Sequence, residues 1–397
     1  MTSPSGKAPA GSTGETLFAR AARVFDGAPD PETGVRVLRV RPRDREWKPG
    51  GLATVYHQSR CFLDGGRRIL LNVRGPGVHE AAIVLDLTTG TVDSPFPAGY
   101  RIHDVDDRTN NALLYNNERA VIYNLRSRQA LAALPTEEAK YGGGTLLPDG
   151  RRAVISHYRG KFYDEYCRTH LHLLTDQGAA PVFLELDGCY ANHMQGCPTE
   201  PDLFCYNAWP CPRRDVEGVA SIATVDGRVN DRIPLDAQAL RPGDFWGVRD
   251  HYVWTPDGSR IISYFNRRPV DWTIPFDHYS FDWWLSSLDW RTGRDESVRY
   301  PPRRWNGHMQ MTPDSRYILC GGGPGFDRLY AVDRTRLGDG WNERILCSYL
   351  ETNPQGRDSG HLYPYPFALP DGSGVIFNAG WWGPDQGVFL AEWPPDA

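Results

Sequence analysis

Five histidines, His57, His103, His193, His251 and His308, each stand just ahead of a turn and an alternating apolar run. Two further copies of the pattern open with Gly143 and Tyr365 instead. Imidazoles gathered in one place have a short list of uses. They take up a proton near neutral pH, hold a divalent cation, or hydrogen-bond a polar ligand. Mutual repulsion would keep most of them neutral near pH 7, the state that suits a base or a ligand. A single histidine ahead of a strand is more often a structural hydrogen-bonding group. Five at equivalent positions point to a common polar funnel.

The repeat that carries them is a strand–turn–strand unit. The seven copies recur every ~50 residues, the spacing of a four-stranded propeller blade. Several turns read Pro-Asp-Gly, as at 148–150, 256–258 and 370–372. The expected fold is therefore all-β, a seven-bladed β-propeller, whose equivalent blade positions meet on one axis. Abundant Gly and Pro, with 12 % aromatic residues, suit short strands and tight turns over helices. Residues 35–40, VRVLRV, read as a strand. We expect a disordered tail over residues 1–25 and a single propeller domain over 26–397.

The formal net charge is −5, with no basic stripe, which argues against a nucleic-acid partner. No run approaches the ~18 apolar residues of a membrane span. The first twenty residues also lack the apolar core of a secretory signal, so a cytoplasmic location is expected. The eight cysteines mostly fall in strand-like runs and read as buried thiols, since no Cys-x-x-Cys pair is present. The segment from Arg267 and Arg268 to Trp284 mixes guanidinium and aromatic groups, a combination that suits sugar faces and carboxylates. His170 and His172 alternate in an outer-strand pattern and look structural.

The stretches DHYVWTPDG at 250–258, GHMQMTPDS at 307–315, NHMQGCPTEPDLFCYN at 192–207 and YPYPFALPDGSGVIFNA at 363–379 resemble the oligogalacturonate lyases. These are seven-bladed propellers that cleave short galacturonate oligomers. The resemblance runs from about residue 35 to 394 and implies β-elimination on an acidic oligosaccharide. It gives His251 the role of base. The family binds manganese through three histidines and a glutamine. One of these falls on His308. The other two histidines fall on Tyr363 and Tyr365, and the glutamine falls on Gly360.

Two arrangements follow. In the first the site works without a metal, with His251 as base, Tyr365 or Tyr363 as acid, and His193 and His308 orienting the substrate. Arg249 or Arg213 would clamp its carboxylate, with Arg214, Arg267 and His57 as further contacts. In the second, His308, His193 and His361 rebuild a site for a divalent metal, manganese among them. The alternatives are a propeller glycosidase or isomerase, or a non-catalytic carbohydrate- or protein-binding propeller. A hydrolase needs two carboxylates at a set separation, and Asp104, Asp244 and Asp250 do not signal such a pair. The oligomeric state is not legible.

Overall fold

The alternating runs fold as seven sheets arranged as the blades of a propeller. The computed structural model describes residues 14–44, 51–73, 82–136, 139–160, 166–178, 180–211, 219–232, 250–266, 283–302, 304, 308–321, 328–348, 364–379 and 387–394. Blades are numbered in chain order. Their innermost strands are Leu52–Thr54, Arg101–Asp106, Lys140–Leu146, Cys189–Gly196, Asp250–Trp254, Met309–Met311 and Phe367–Ala368. Each is followed outward by antiparallel neighbours, as in Lys140–Leu146, Arg152–Arg159, Arg168–Thr175 and Val182–Asp187 of blade three.

Both faces of the middle strands are covered by adjacent blades. Such strands are apolar almost continuously, as in Ile83, Val84 and Leu85, all essentially fully buried. The Pro-Asp-Gly turns have a local cause. Asp149 Oδ1 accepts from the Arg151 backbone N–H at 2.9 Å, and Gly150 supplies a φ of 66° that a side chain would oppose. Blade six keeps the same turn with Ser315 at φ 61°.

The strand expected at 35–40 is present as Arg36–Val40, and its position closes the ring. It pairs antiparallel with Gly387–Glu392, Val37 opposite Ala391 and Val40 opposite Val388, so the last blade is built from both ends of the chain. The expectation of a disordered tail through residue 25 is corrected for residues 14–25. Leu17–Ala21 form a short helix capped by Thr16, and Leu17, Phe18, Ala21, Val24 and Phe25 are buried. The Leu17 N–H bonds Asp371 Oδ2 at 2.7 Å and the Phe18 N–H bonds Ser373 Oγ at 3.1 Å, which pins the segment to the turn of blade seven. Among the described residues no helix is long and apolar enough to cross a membrane.

Candidate active site

The innermost strands deliver their opening residues to the axis through a shared irregularity. In blade four the register slips between Asn192 and Gln195, and in blade five between Asp250 and Val253. The residues left over at these bulges include His193 at φ 51° and His251 at φ 50°, both left-handed. Tyr365, just before the inner strand of blade seven, sits at φ 33°. A bulge of this kind re-aims a side chain that the pleat would otherwise point into a neighbouring blade. Left-handed backbone at a non-glycine residue costs about 1–3 kcal/mol and is held only where its surroundings over-determine it.

The result is a compact group of rings from five blades. His251 lies 4.7 Å from both His193 and His308, centroid to centroid, and 5.3 Å from His57. His308 is 5.0 Å from His57 and 4.8 Å from Tyr365. Tyr56 occupies the middle. Its ring is 4.5 Å from His57, 5.4 Å from Tyr365, 5.8 Å from His193, 5.9 Å from His308 and 6.3 Å from His251.

Hydrogen bonds orient these rings. His57 Nδ1 lies 3.1 Å from the Met309 carbonyl. A carbonyl only accepts, so His57 is protonated at Nδ1 and, when neutral, carries its lone pair on Nε2. His251 Nδ1 is 2.7 Å from the hydroxyl of buried Tyr264, and Tyr56 Oη is 3.2 Å from His193 Nε2. Burial, then the neighbouring His251, His57 and His193, holds His308 well below the ordinary histidine range, so this ring is neutral. His57, His251 and His308 each offer a ring nitrogen, and these nitrogens lie within 4.8 Å of one another.

Just after the histidines in the chain come three glutamines that bond across the axis. Gln58 Nε2 donates to the Tyr252 carbonyl at 2.9 Å, and Gln195 Nε2 to the Gln58 carbonyl at 3.4 Å. Gln195 Oε1 accepts from the Trp254 N–H at 2.9 Å, and Gln310 Nε2 donates to the His57 carbonyl. Blades one, four, five and six are thereby stitched together next to the histidines.

Of the residues singled out from sequence, the structure brings His57, His193, His251, His308 and Tyr365 together. Tyr363, His361, Arg249, Arg213, Arg214 and Arg267 lie outside the described residues. The three imidazole nitrogens that converge come from His57, His251 and His308, and of the expected metal-binding set they share His308. His103, expected to line the channel with His57, stands aside. Its ring packs 5.8 Å from Tyr141 and 6.1 Å from Tyr115, its Nε2 accepts from the Gly144 N–H at 3.4 Å, and burial pushes its pKa down to about 4.

Asp104 is committed elsewhere. It accepts from the Arg60 guanidinium at 2.8 Å and from the Leu146 N–H at 3.0 Å, which removes it as a hydrolytic carboxylate. No disulfide joins the cysteines among the described residues, and all but half-buried Cys189 are buried. His170 and His172 sit on the third strand of blade three beside His157, away from the axis. Sequence reading missed Tyr56 and the glutamines. The signals were Tyr56 preceding His57 directly, and His-Met-Gln occurring twice, at 193–195 and 308–310.

No family model matches the chain, and no curated protein matches it by sequence. Solved structures do. An oligogalacturonate lyase in complex with manganese superposes with a TM-score of 0.73 at 17 % identity, covering 94 % of this chain and 96 % of that one. An oligogalacturonate lyase from Vibrio parahaemolyticus superposes with a TM-score of 0.70, also at 17 % identity, covering 93 % of this chain and 96 % of that one. Blade count, ring closure and overall superposition agree: this chain has the seven-bladed propeller fold of the oligogalacturonate lyases.

Proposed function

We propose that the protein is a lyase that cleaves a uronate-containing oligosaccharide by β-elimination. The carrying observation is the axial group of four imidazoles and two phenols in a fold shared with oligogalacturonate lyases. Elimination removes the proton on the carbon beside the uronate carboxylate and breaks the bond to the glycosidic oxygen one carbon away. The electron pair of the C–H bond becomes the new C=C bond, and the departing oxygen gains a proton. The reaction needs a base, an acid and a neutraliser for the carboxylate.

His251 is the base. With Nδ1–H donated to Tyr264, its Nε2 lone pair faces the axial rings, the arrangement in which a partner fixes the tautomer of a proton acceptor. Tyr365 supplies the proton to the leaving oxygen. Tyr56, hydrogen-bonded to His193, holds the carboxylate end of the sugar in place.

A second reading of the same reaction is favoured by the convergence of nitrogens from His57, His251 and His308. Three converging imidazoles suit a divalent transition-metal ion, and the His57 tautomer fits ligation through Nε2. Such an ion, when bound, supplies positive charge for the uronate carboxylate. His251 would then be one of the residues holding the ion, and the Tyr56–His193 pair would be left to take the proton.

Ultraviolet absorbance of the products on a panel of uronate oligosaccharides tests the function, because only elimination creates a conjugated double bond. Absorbance growth abolished by His251→Asn supports it. No growth on any uronate refutes it. Metal analysis of the purified protein, with activity before and after chelation, separates the two readings. Chelator-insensitive activity assigns His251 as base, and stoichiometric metal lost from His57→Asn and His308→Asn assigns the cation site.

A further inference from the structure

The axial ring of side chains is interrupted on one side. Blades one, four, five, six and seven contribute rings, whereas blade three presents Gly142 and Gly143 at the equivalent position. A Cβ at Gly142 would meet Ser156 Oγ at 2.6 Å and the Ala191 carbonyl oxygen at 2.9 Å, so no larger residue fits. His103 of blade two packs edge-on against Tyr115 and Tyr141. Blade three therefore adds no side chain of its own to the axial group, and its glycines are faced by His103 and Asn192: a Cβ at Gly143 would stand 4.0 Å from His103 Cε1 and 3.7 Å from Asn192 Cα.

Beside blade three stands a row of half-buried tyrosines. Tyr115 of blade two stacks on Tyr141 of blade three, centroids 4.2 Å apart and planes 15° apart. Tyr158 of blade three meets Tyr190 of blade four edge-on at 4.7 Å. Two consecutive crevices between blades are thus each capped by a tyrosine pair. Each cap has an exposed cation beside it on the same pleat. Arg101 is the cross-strand partner of Tyr115, and Lys140 that of Tyr158. Neither cation makes an ion pair among the described residues. Tyr190 of the second pair stands on the strand that, three residues on, delivers His193 to the axis.

We propose that this row is a binding track for the sugars of an acidic oligosaccharide that lie beyond the reacting bond. The identity of the ligand rests on the lyase reading above; the track itself rests on the geometry. Tyrosine faces pack against the apolar faces of sugar rings, and a cation beside each pair meets a uronate carboxylate. Tyr190 precedes His193 by three residues on one strand, so a chain on the track reaches the axial rings from blade four. The track therefore favours oligomers over dimers and charged oligomers over neutral ones.

Calorimetric titration of the full chain tests this, carried in the His251→Asn background so that the ligand survives. The probes are dimers and tetramers of galacturonate, glucuronate and mannuronate, with a neutral glucose tetramer as control. We expect one uronate tetramer to bind at least tenfold more tightly than its dimer, and the neutral tetramer to show no such gain. Arg101→Ala/Lys140→Ala removes the gain, as does Tyr158→Ala if its melting temperature matches the parent. Equal binding of dimer and tetramer, a gain that survives loss of both cations, or no binding of any uronate overturns the track.

The two readings fail separately. A charge-dependent length gain without any elimination by the unmutated protein keeps the track and discards the lyase. Elimination with no length gain does the reverse.

Discussion

At the residue scale, the informative contrast is between rings with fixed tautomers and rings that share a proton. His57 is fixed by a carbonyl, which only accepts. His251 is held by a hydroxyl, which takes either role, so its state depends on Tyr264. Tyr264→Phe deletes this partner and keeps the buried ring. We expect activity to fall about 10–100-fold, the usual cost of losing a group that orients a working histidine. The fall should appear in kcat with KM little changed. An unchanged kcat would show that Tyr264 only packs.

The convergence of His57, His193, His251 and His308 was legible because a repeat places equal positions on one axis, whereas the departure of His103 was not. Tyr56 was not, since nothing in its spacing tells a residue on the axis from one beside it. The glutamine layer was not either, because its bonds join blades that are far apart in sequence, Gln58 to Tyr252 and Gln310 to His57.

At the scale of elements, the bulges and the inter-blade polar groups decide how the site is built. Bulges at Asn192/Gln195 and Asp250/Val253 cannot be read from an alternating pattern, because one extra residue leaves the alternation on either side intact. Blade three has a separate histidine group with consequences for stability. His157 is buried, and its ring lies 5.1 Å from that of His172, with His170 directly across the strand pair. Burial, then His172 and His170, pushes the His157 pKa down to about 4.

The unfolded chain takes up this proton as pH falls through about 6.5, the folded chain only near 4. Below the unfolded value the unfolded state binds more protons, so stability drops as the solution is acidified through that window. Between pH 7 and pH 5 this group alone removes about 2 kcal/mol. Denaturant midpoints at the two pH values should differ less in His157→Leu than in the parent. An identical difference would place the acid sensitivity elsewhere.

At the scale of the whole molecule, a propeller is only as stable as its closure. The ring is shut by Arg36–Val40 against Gly387–Glu392, and the helix ahead of that strand fastens onto the Asp371–Ser373 turn. The seven blades were legible from the repeat, and so was the closing strand as a strand. Its place in the last blade was not, since pairing partners 350 residues apart leave no local mark. The helix had a weak signal in Leu17, Phe18, Ala21, Val24 and Phe25, whose spacing gives one apolar face. The small polar residues ahead of it masked that signal. Phe18 is 3 % exposed, and Phe18→Ala should cost about 3–5 kcal/mol. Thermal unfolding would register this as a lower midpoint. An unchanged midpoint would mean that the closure is sound without the helix.

The glutamine layer bears on traffic. Gln58, Gln195 and Gln310 tie four blades together next to the histidines, so among the described residues a molecule at the rings has amide groups beside it along the axis. Were this layer to close the axis, arrival and departure would share one doorway. Where a single entrance serves both directions, the fragment nearer the mouth leaves first and the inner one waits behind it. The inner fragment competes with the next arrival, and turnover slows as it accumulates. On the proposed lyase reading such a site would cut once and let go, and would not thread a chain.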